Sequence, residues 1–382
     1  MDKVVIIGAS SFQNPLIVKA KEMGFETHVF AWKDGSVGER TADYFYPISI
    51  IEKEEILKKC EEIRPKAVVT IASDLAAITA NYVARALGLI SNTPECVYKT
   101  TNKFAMRQAM KEHGILTPGF MSVDEKNYGE IINELSFPLI VKPTDRSGSR
   151  SITKVMNELE LKAAVHRAVI DSFEKKAIVE EYIEGGEYSL ESLSYEGKHH
   201  FLALTKKYTT GSPHFIEKGH IQPADLDKDK QDQIIDMIFK ALDALGIEYG
   251  AAHSEFRLDK EGNIHIIEIG ARMGGDCIGS DLVRLSTGQD FVRMVLDVGL
   301  GIKPAFIKET KPKATCIRFI MDAMDEKRYY SNKELYPDHF VYESPVEAVG
   351  SHRVIDSSSR YGYYITVWDS IEEAERFMDD GR

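Results

Sequence analysis

The 382-residue sequence has no apolar run approaching the roughly 20 residues of a membrane span, so it gives no sign of a transmembrane bundle. It also lacks basic charge. A formal net charge of -12 argues against general nucleic-acid binding, which needs a positive footprint. Cys60, Cys96, Cys277 and Cys316 are dispersed with no C-x-x-C pair, and they read as reduced, packed residues of a cytoplasmic protein. Cys277, beside a glycine-rich stretch, is the one candidate for a free thiol nucleophile. The opening MDKVVIIGAS enters a strand at once and lacks a signal-peptide layout. The first strand's turn has Gly8 but no G-x-G-x-x-G, so a nicotinamide site is not indicated, and Asp34 alone does not supply one. No internal repeat or low-complexity segment is present.

What is present is the composition of a soluble globular enzyme, 43% hydrophobic and 28% charged, at a length that implies two to four lobes. Strand patterns at 3–7, 26–32 and 66–72 alternate with helical patterns at 15–23, 52–63 and 75–87. That alternation predicts a parallel sheet covered on both faces. From residue 101 the pattern changes. A helix capped by Asn102 is stopped by Gly114, with Pro118 beyond. Lys103 stands at its first position, where the macrodipole disfavours a cation. A nearby anionic ligand would excuse it, and so would simple solvation.

Residues 137–143, FPLIVKP, form a buried strand ending at Lys142. The polar loop that follows contains Arg146, Ser147, Gly148 and Ser149 and leads into a strand at 152–155. Such a loop either wraps phosphate with N–H and hydroxyl groups or is a flexible hairpin tip. A helix at 158–170 and a strand, Gly-Gly turn and strand at 176–193 come next. Residues 205–226 read as a long Gly/Pro-punctuated loop holding His214, Glu217 and His220. These are substrate-pocket candidates unless the loop is plain surface. After an amphipathic helix at 229–245 the chain reaches its central hairpin, and a helix at 286–298 follows. Gly299, Gly301 and Pro304 mark a boundary before a small α+β lobe with strands at 314–321 and 360–369 and a closing helix.

In the hairpin, residues 254–259 and 264–270 bracket a turn, Lys260-Glu261-Gly262-Asn263. A symmetric four-residue loop puts Glu255 opposite Glu268, with Cβ atoms roughly 4.5–5.5 Å apart. Two carboxylates so held repel unless a cation lies between them, and hard oxygen ligands suit Mg²⁺. Arg272 follows in a glycine-rich exit with Gly274 and Gly275, where its donor fork could meet a phosphate or carboxylate. An ordinary hairpin with exposed acids satisfies the same pattern.

Taken in order, N-K-x-x-M-R at 102–107, P-L-I-V-K-P at 138–143, the polar loop, V-E-E-Y-I-E-G-x-E-Y-S at 179–189 and the paired glutamates ending E-I-G-A-R resemble an ATP-grasp ligase over residues 1–300. The form H-S-E…E-I-G-A-R-M-G-G looks most like the branch with L-amino acid (dipeptide) ligases and carbamoyl-phosphate-synthase-like enzymes. The resemblance implies an ATP-grasp fold of mixed α/β and α+β class. Its parts would be a Rossmann-like lobe at 1–100, a linker helix and lid at 101–189, an antiparallel catalytic subdomain at 190–302 and the α+β lobe at 303–382. It implies that Lys103 and Lys142 hold ATP phosphates and that Arg146, Ser147, Gly148 and Ser149 close over them. Glu180, Glu181, Tyr182 and Ile183 would hold adenine, and Glu187 ribose. Glu255 and Glu268 would ligate Mg²⁺ or Mn²⁺, and Arg272 would contact the phosphoryl group. Gly270 stands where many members have a ligating asparagine, and His253, on the same strand face as Glu255, could complete the set.

The chemistry implied is acyl-phosphate formation from a small carboxylate, then capture by an amine, with ADP and phosphate released. The alternatives are a bicarbonate-activating carboxylase or carbamoyl-forming relative and a nucleotide-binding module without turnover. No nucleic acid or membrane partner is implied, and a homodimer is the assembly the superfamily suggests.

Overall fold

The computed structural model describes residues 1–212 and 215–379, without the side chains of Glu130, Ile132 and Asn133. Its strands form three sheets. The first contains β1 (Lys3–Ile7), β2 (Glu26–Phe30), β3 (Tyr44–Tyr46) and β4 (Ala67–Val69) in the order β3-β2-β1-β4, all parallel. The apolar run Val4–Ile7 is wholly buried, as both-face coverage of a parallel sheet requires. Gly8 closes the first turn with φ +102°, and the Gln13 side chain fills that turn while donating to Ile71 O at 3.2 Å. The turn is therefore occupied by the chain's own amide.

The second sheet, in the order β5-β8-β6-β7, joins β5 (Phe120–Val123), β6 (Leu139–Pro143), β7 (Thr153–Val155) and β8 (Ala177–Glu181) antiparallel. Helix Glu158–Asp171 packs Leu161, Val165 and Ala168 against Leu139, Val141 and Val179. Helix Lys103–Glu112 precedes this sheet, capped by Asn102, whose Oδ1 accepts from Ala105 N at 3.0 Å.

The third sheet has eight strands: β9 (Gly186–Tyr195), β10 (Lys198–Thr209), β11 (Glu217–Gln222), β12 (Gly250–Leu258), β13 (Ile264–Gly270), β14 (Ala314–Ile320), β15 (Phe340–Glu343) and β16 (Gly362–Trp368). Their order is β13-β12-β9-β10-β11-β14-β16-β15. Three expectations change here. Residues 205–226 are not one long loop, because β10 and β11 take up half of them and pair antiparallel. Gln222 Nε2 donates to Thr205 Oγ1 at 2.8 Å inside that pairing, so part of the polar sequence is satisfied within the sheet. The helix expected at 286–298 is two helices, Val283–Thr287 and Phe291–Gly299. Gly288, at φ +80°, ends the first, and Asp290 caps the second by accepting from Arg293 N. The carboxy-terminal strands β14, β16 and β15 extend the same sheet that carries the hairpin. Among the described residues no helix is long and apolar enough to cross a membrane.

Candidate active site

The hairpin of β12 and β13 sets Glu255 opposite Glu268, by a different route from the symmetric loop. The turn is one residue longer on the register Leu258↔Ile264, and a bulge at Ile267 restores the expected pairing. Arg107 Nη2 donates to the carbonyl of that bulged residue. Glu255 and Glu268 therefore lie side by side on the wall of a cleft of about 270 Å³, where the three sheets meet.

Each acid is matched by an ammonium group. Lys103 Nζ donates to Glu268 Oε1 at 2.8 Å and to Arg146 O at 2.7 Å. Lys207 Nζ donates to Glu255 Oε1 at 2.5 Å and lies 3.3 Å from Glu187 and 3.6 Å from Glu217. Burial works to raise the Glu255 pKa, but Lys207 and His253 outweigh it and hold the carboxyl well below its usual range. Against burial, the three carboxylates hold the Lys207 pKa well above its usual value. Lys103 is 4% exposed, so simple solvation does not explain its position at the helix start.

Lys142, at the end of β6, is ion-paired through Nζ with Glu180 Oε2 at 2.7 Å, and Arg107 Nε donates to Glu180 Oε1 at 2.6 Å. Burial lowers the Lys142 pKa despite the opposing charge of Glu180. Burial would raise Glu180, but Arg107 and Lys142 keep it below the carboxylate range. The Glu180 side chain is thus committed to the lysine and arginine rather than turned to an adenine edge.

The other expected nucleotide residues divide. Arg146, Ser147, Gly148 and Ser149 line the cleft, while Glu181, Tyr182, Ile183 and Glu187 do not. Glu181 meets Ser136 N at 3.4 Å on the far side of the sheet. The Tyr182 ring lies 3.6 Å from Lys154 Nζ and 5.2 Å from the Arg257 guanidinium. Arg257 donates to Ile183 O at 2.9 Å and to Glu187 Oε2 at 2.7 Å.

His253 lies between two acids. It contacts Glu191 through Nδ1, and its Nε2 is 3.2 Å from Glu255 Oε1. Burial opposes its charge, but Glu191 and Glu255 raise its pKa to about 9. Gly274 N donates to Glu191 Oε2 at 3.2 Å, and a Cβ there would come 2.8 Å from His253 Nδ1. Among the described residues, no three His, Cys, Asp or Glu side chains close on one point. A divalent cation held by Glu255 and Glu268 would need phosphate oxygens and water to complete its shell, which is how Mg²⁺ prefers to bind.

Arg272 is held by Asp74 of the first lobe, Nε to Oδ1 at 2.9 Å and Nη2 to Oδ2 at 3.1 Å. Glu217, His220 and Gly275 line the cleft, Gly274 does not, and His214 lies outside the described residues. Ser357 Oγ donates to Glu217 Oε2 at 2.5 Å, and His220 Nε2 is 3.5 Å from Asp276 Oδ2. Burial lowers the His220 pKa, with Asp276 opposing. Cys277 is buried, and burial pushes its thiol well above the usual range, which removes the nucleophile reading.

Sequence reading missed Asp74, Lys207, Asp276 and Arg360, all on the cleft wall. Arg360 forks onto Asp276, with Nη1 to Oδ2 at 2.9 Å, and its guanidinium is 3.5 Å from the Phe319 ring centroid. The only local signal is Lys207 itself, a charged residue at a strand position that faces inward.

Residues 135–281 match the ATP-grasp domain family. The chain is 28% identical over 362 residues to an alanine–anticapsin ligase of Bacillus subtilis, covering 85% of this chain and 73% of that one. It is 28% identical over 209 residues to a D-alanine–D-alanine ligase of Pseudomonas entomophila, covering 52% and 63%. The crystal structure of an L-amino acid ligase from Bacillus licheniformis superposes with a TM-score of 0.83 at 24% identity, over 100% of this chain and 96% of that one. Residues 135–281 thus match an ATP-grasp domain, inside a fold that the L-amino acid ligase shares along the whole chain.

Proposed function

We propose that the chain is an ATP-dependent carboxylate–amine ligase that activates a small carboxylic acid, an amino acid in the best-supported case, and joins it to an amine. The observation that carries this reading is that Glu255, Glu268, Lys103 and Lys142 line one cleft although they come from three separate parts of the chain. The ligase names of the relatives support it.

In the first step a substrate carboxylate oxygen attacks the γ-phosphorus of ATP. The bond to the β,γ-bridging oxygen breaks, and ADP leaves with its electron pair. In the second step the amine nitrogen attacks the acyl carbon and sheds a proton, and the C–O bond to phosphate breaks. Nothing here requires a protein nucleophile. Positioning and charge neutralisation do the work. Lys103 and Lys142 exchange their glutamate partners for phosphate oxygens, and Arg272 turns from Asp74 toward the transferred phosphoryl group. Glu255 and Glu268 would hold Mg²⁺, or Mn²⁺, which would neutralise charge on the phosphates. The loop carrying Arg146, Ser147, Gly148 and Ser149 covers the phosphates and keeps water from the acyl phosphate. Tyr182, Ile183 and Glu187 border the nucleoside end.

The test is ADP and phosphate release from Mg-ATP over pairs of amino acids and small acids, with mass detection of the coupled product. No ADP release for any pair would sink the reading. Release that depends on bicarbonate instead of an amine would replace it with a carboxylase.

A further inference from the structure

Every strongly buried lysine or arginine around the cleft is matched by a carboxylate: Lys103 by Glu268, Lys142 and Arg107 by Glu180, Lys207 by Glu255, Arg360 by Asp276. Arg318, on β14, breaks that rule. It is 9% exposed, and among the described residues no carboxylate lies within ion-pair distance. Its Nη2 is bonded to Phe377 O, its guanidinium is 5.0 Å from the Phe377 ring, and its Nε is buried without a partner. A buried guanidinium without an anion is a costly arrangement.

Arg318 lines a second cavity of about 150 Å³ beside the sheet, together with Tyr208, Lys218, Asp325, Arg328 and Asp379. Tyr208 Oη is also buried with no hydrogen-bond partner. Lys218 is exposed at the cavity's edge. The acids on the wall are already engaged: Asp325 pairs with Arg328 at 2.8 Å, and Asp379 has an interaction of its own. Among the described residues, what the cavity leaves over is donor capacity and positive charge. We propose that this cavity is a binding site for a small oxyanion, of phosphate or short-carboxylate size, held by the Arg318 guanidinium with Tyr208 and Lys218. Burial that depresses the Arg318 pKa is consistent with a guanidinium waiting for a counter-charge.

The site is separate from the cleft, and Phe319, which lines it too, reaches a residue of the cleft wall. Phe319, the next residue, packs under Arg360 on the cleft wall. An anion on Arg318 would therefore sit one residue from a group that shapes the proposed active site.

The test is calorimetry of inorganic phosphate and, separately, of acetate into the full chain, with the cleft first saturated by Mg²⁺ and a non-hydrolysable ATP analogue. At fixed ionic strength, at least one of the two anions is expected to bind with one-site stoichiometry, and the stronger arm identifies the class. Arg318→Met should weaken that binding at least tenfold. Lys218→Ala and Tyr208→Phe, at an exposed position and by removal of one oxygen, should each weaken it about threefold while the chain stays folded. No binding of either anion to the wild-type chain would overturn the proposal. So would binding that Lys218→Ala and Tyr208→Phe leave unchanged.

Discussion

At the scale of single residues, the cleft is a set of charges that hold one another in place. Glu268 is bound to Lys103 and lies across from Glu255, so removing its charge frees a lysine and takes away half of the proposed cation site. Glu268→Gln is expected to lower ADP release by about 100-fold or more while circular dichroism stays unchanged. Wild-type turnover in that variant would refute its role. His253 gives a pH signature. Its pKa rises from 6.5 to about 9 on folding because Glu191 and Glu255 favour the imidazolium. A raised folded-state pKa contributes stability that is complete below pH 6.5 and is lost as pH climbs through about 9. In metal-free buffer the wild type should exceed His253→Gln in urea-unfolding free energy by about 3 kcal/mol near pH 6, and the gap should shrink by pH 10. A gap that does not change with pH would mean that the imidazole is neutral throughout.

Among the elements, helix Lys103–Glu112 links the second sheet to the hairpin. Asn102 caps it and also donates from Nδ2 to Glu174 at 2.8 Å, while Lys103 N donates to Thr144 O at 2.7 Å. Asn102→Ala should cost about 1 kcal/mol of stability in thermal unfolding and raise the KM for ATP, since Lys103 is the next residue. An unchanged KM would mean that the cap is purely structural. Elements with strong local signals were legible in the sequence: the parallel sheet, the capped helix and the hairpin whose glutamates face each other. The hairpin register was inferred from a symmetric turn, whereas the chain reaches it by a longer turn and a bulge, two offsets that cancel. Gly288 falls inside an otherwise helical apolar pattern, which is why one helix was read where the chain makes two.

For the whole molecule, what escaped the sequence is what joins distant segments. Asp74 meets Arg272 across 198 residues of chain, and Arg360 meets Asp276 across 84. No spacing rule links residues that far apart. The same holds for β14 against β11: β14 is legible as an apolar run, but β11 falls inside the stretch expected to be a loop, and nothing local shows that one sheet continues through both. A consequence follows for dissection. A chain cut to residues 1–302 loses β14, leaving the β11 edge unpaired and Ile221 without the cluster of Cys316, Tyr364 and Trp368. It should be insoluble or rapidly cleaved by protease, whereas the full chain resists. A soluble 1–302 chain with cooperative unfolding would contradict this.

The lysines on Glu255 and Glu268 act as resident counterions, so a cation arriving at those acids meets an ammonium group already seated on Oε1 of each. An evicted lysine needs a new anion, and only a polyphosphate brings one along with the incoming cation. On the proposed function, metal and nucleotide would therefore enter the cleft as a joint exchange of ions, and bare metal would bind poorly.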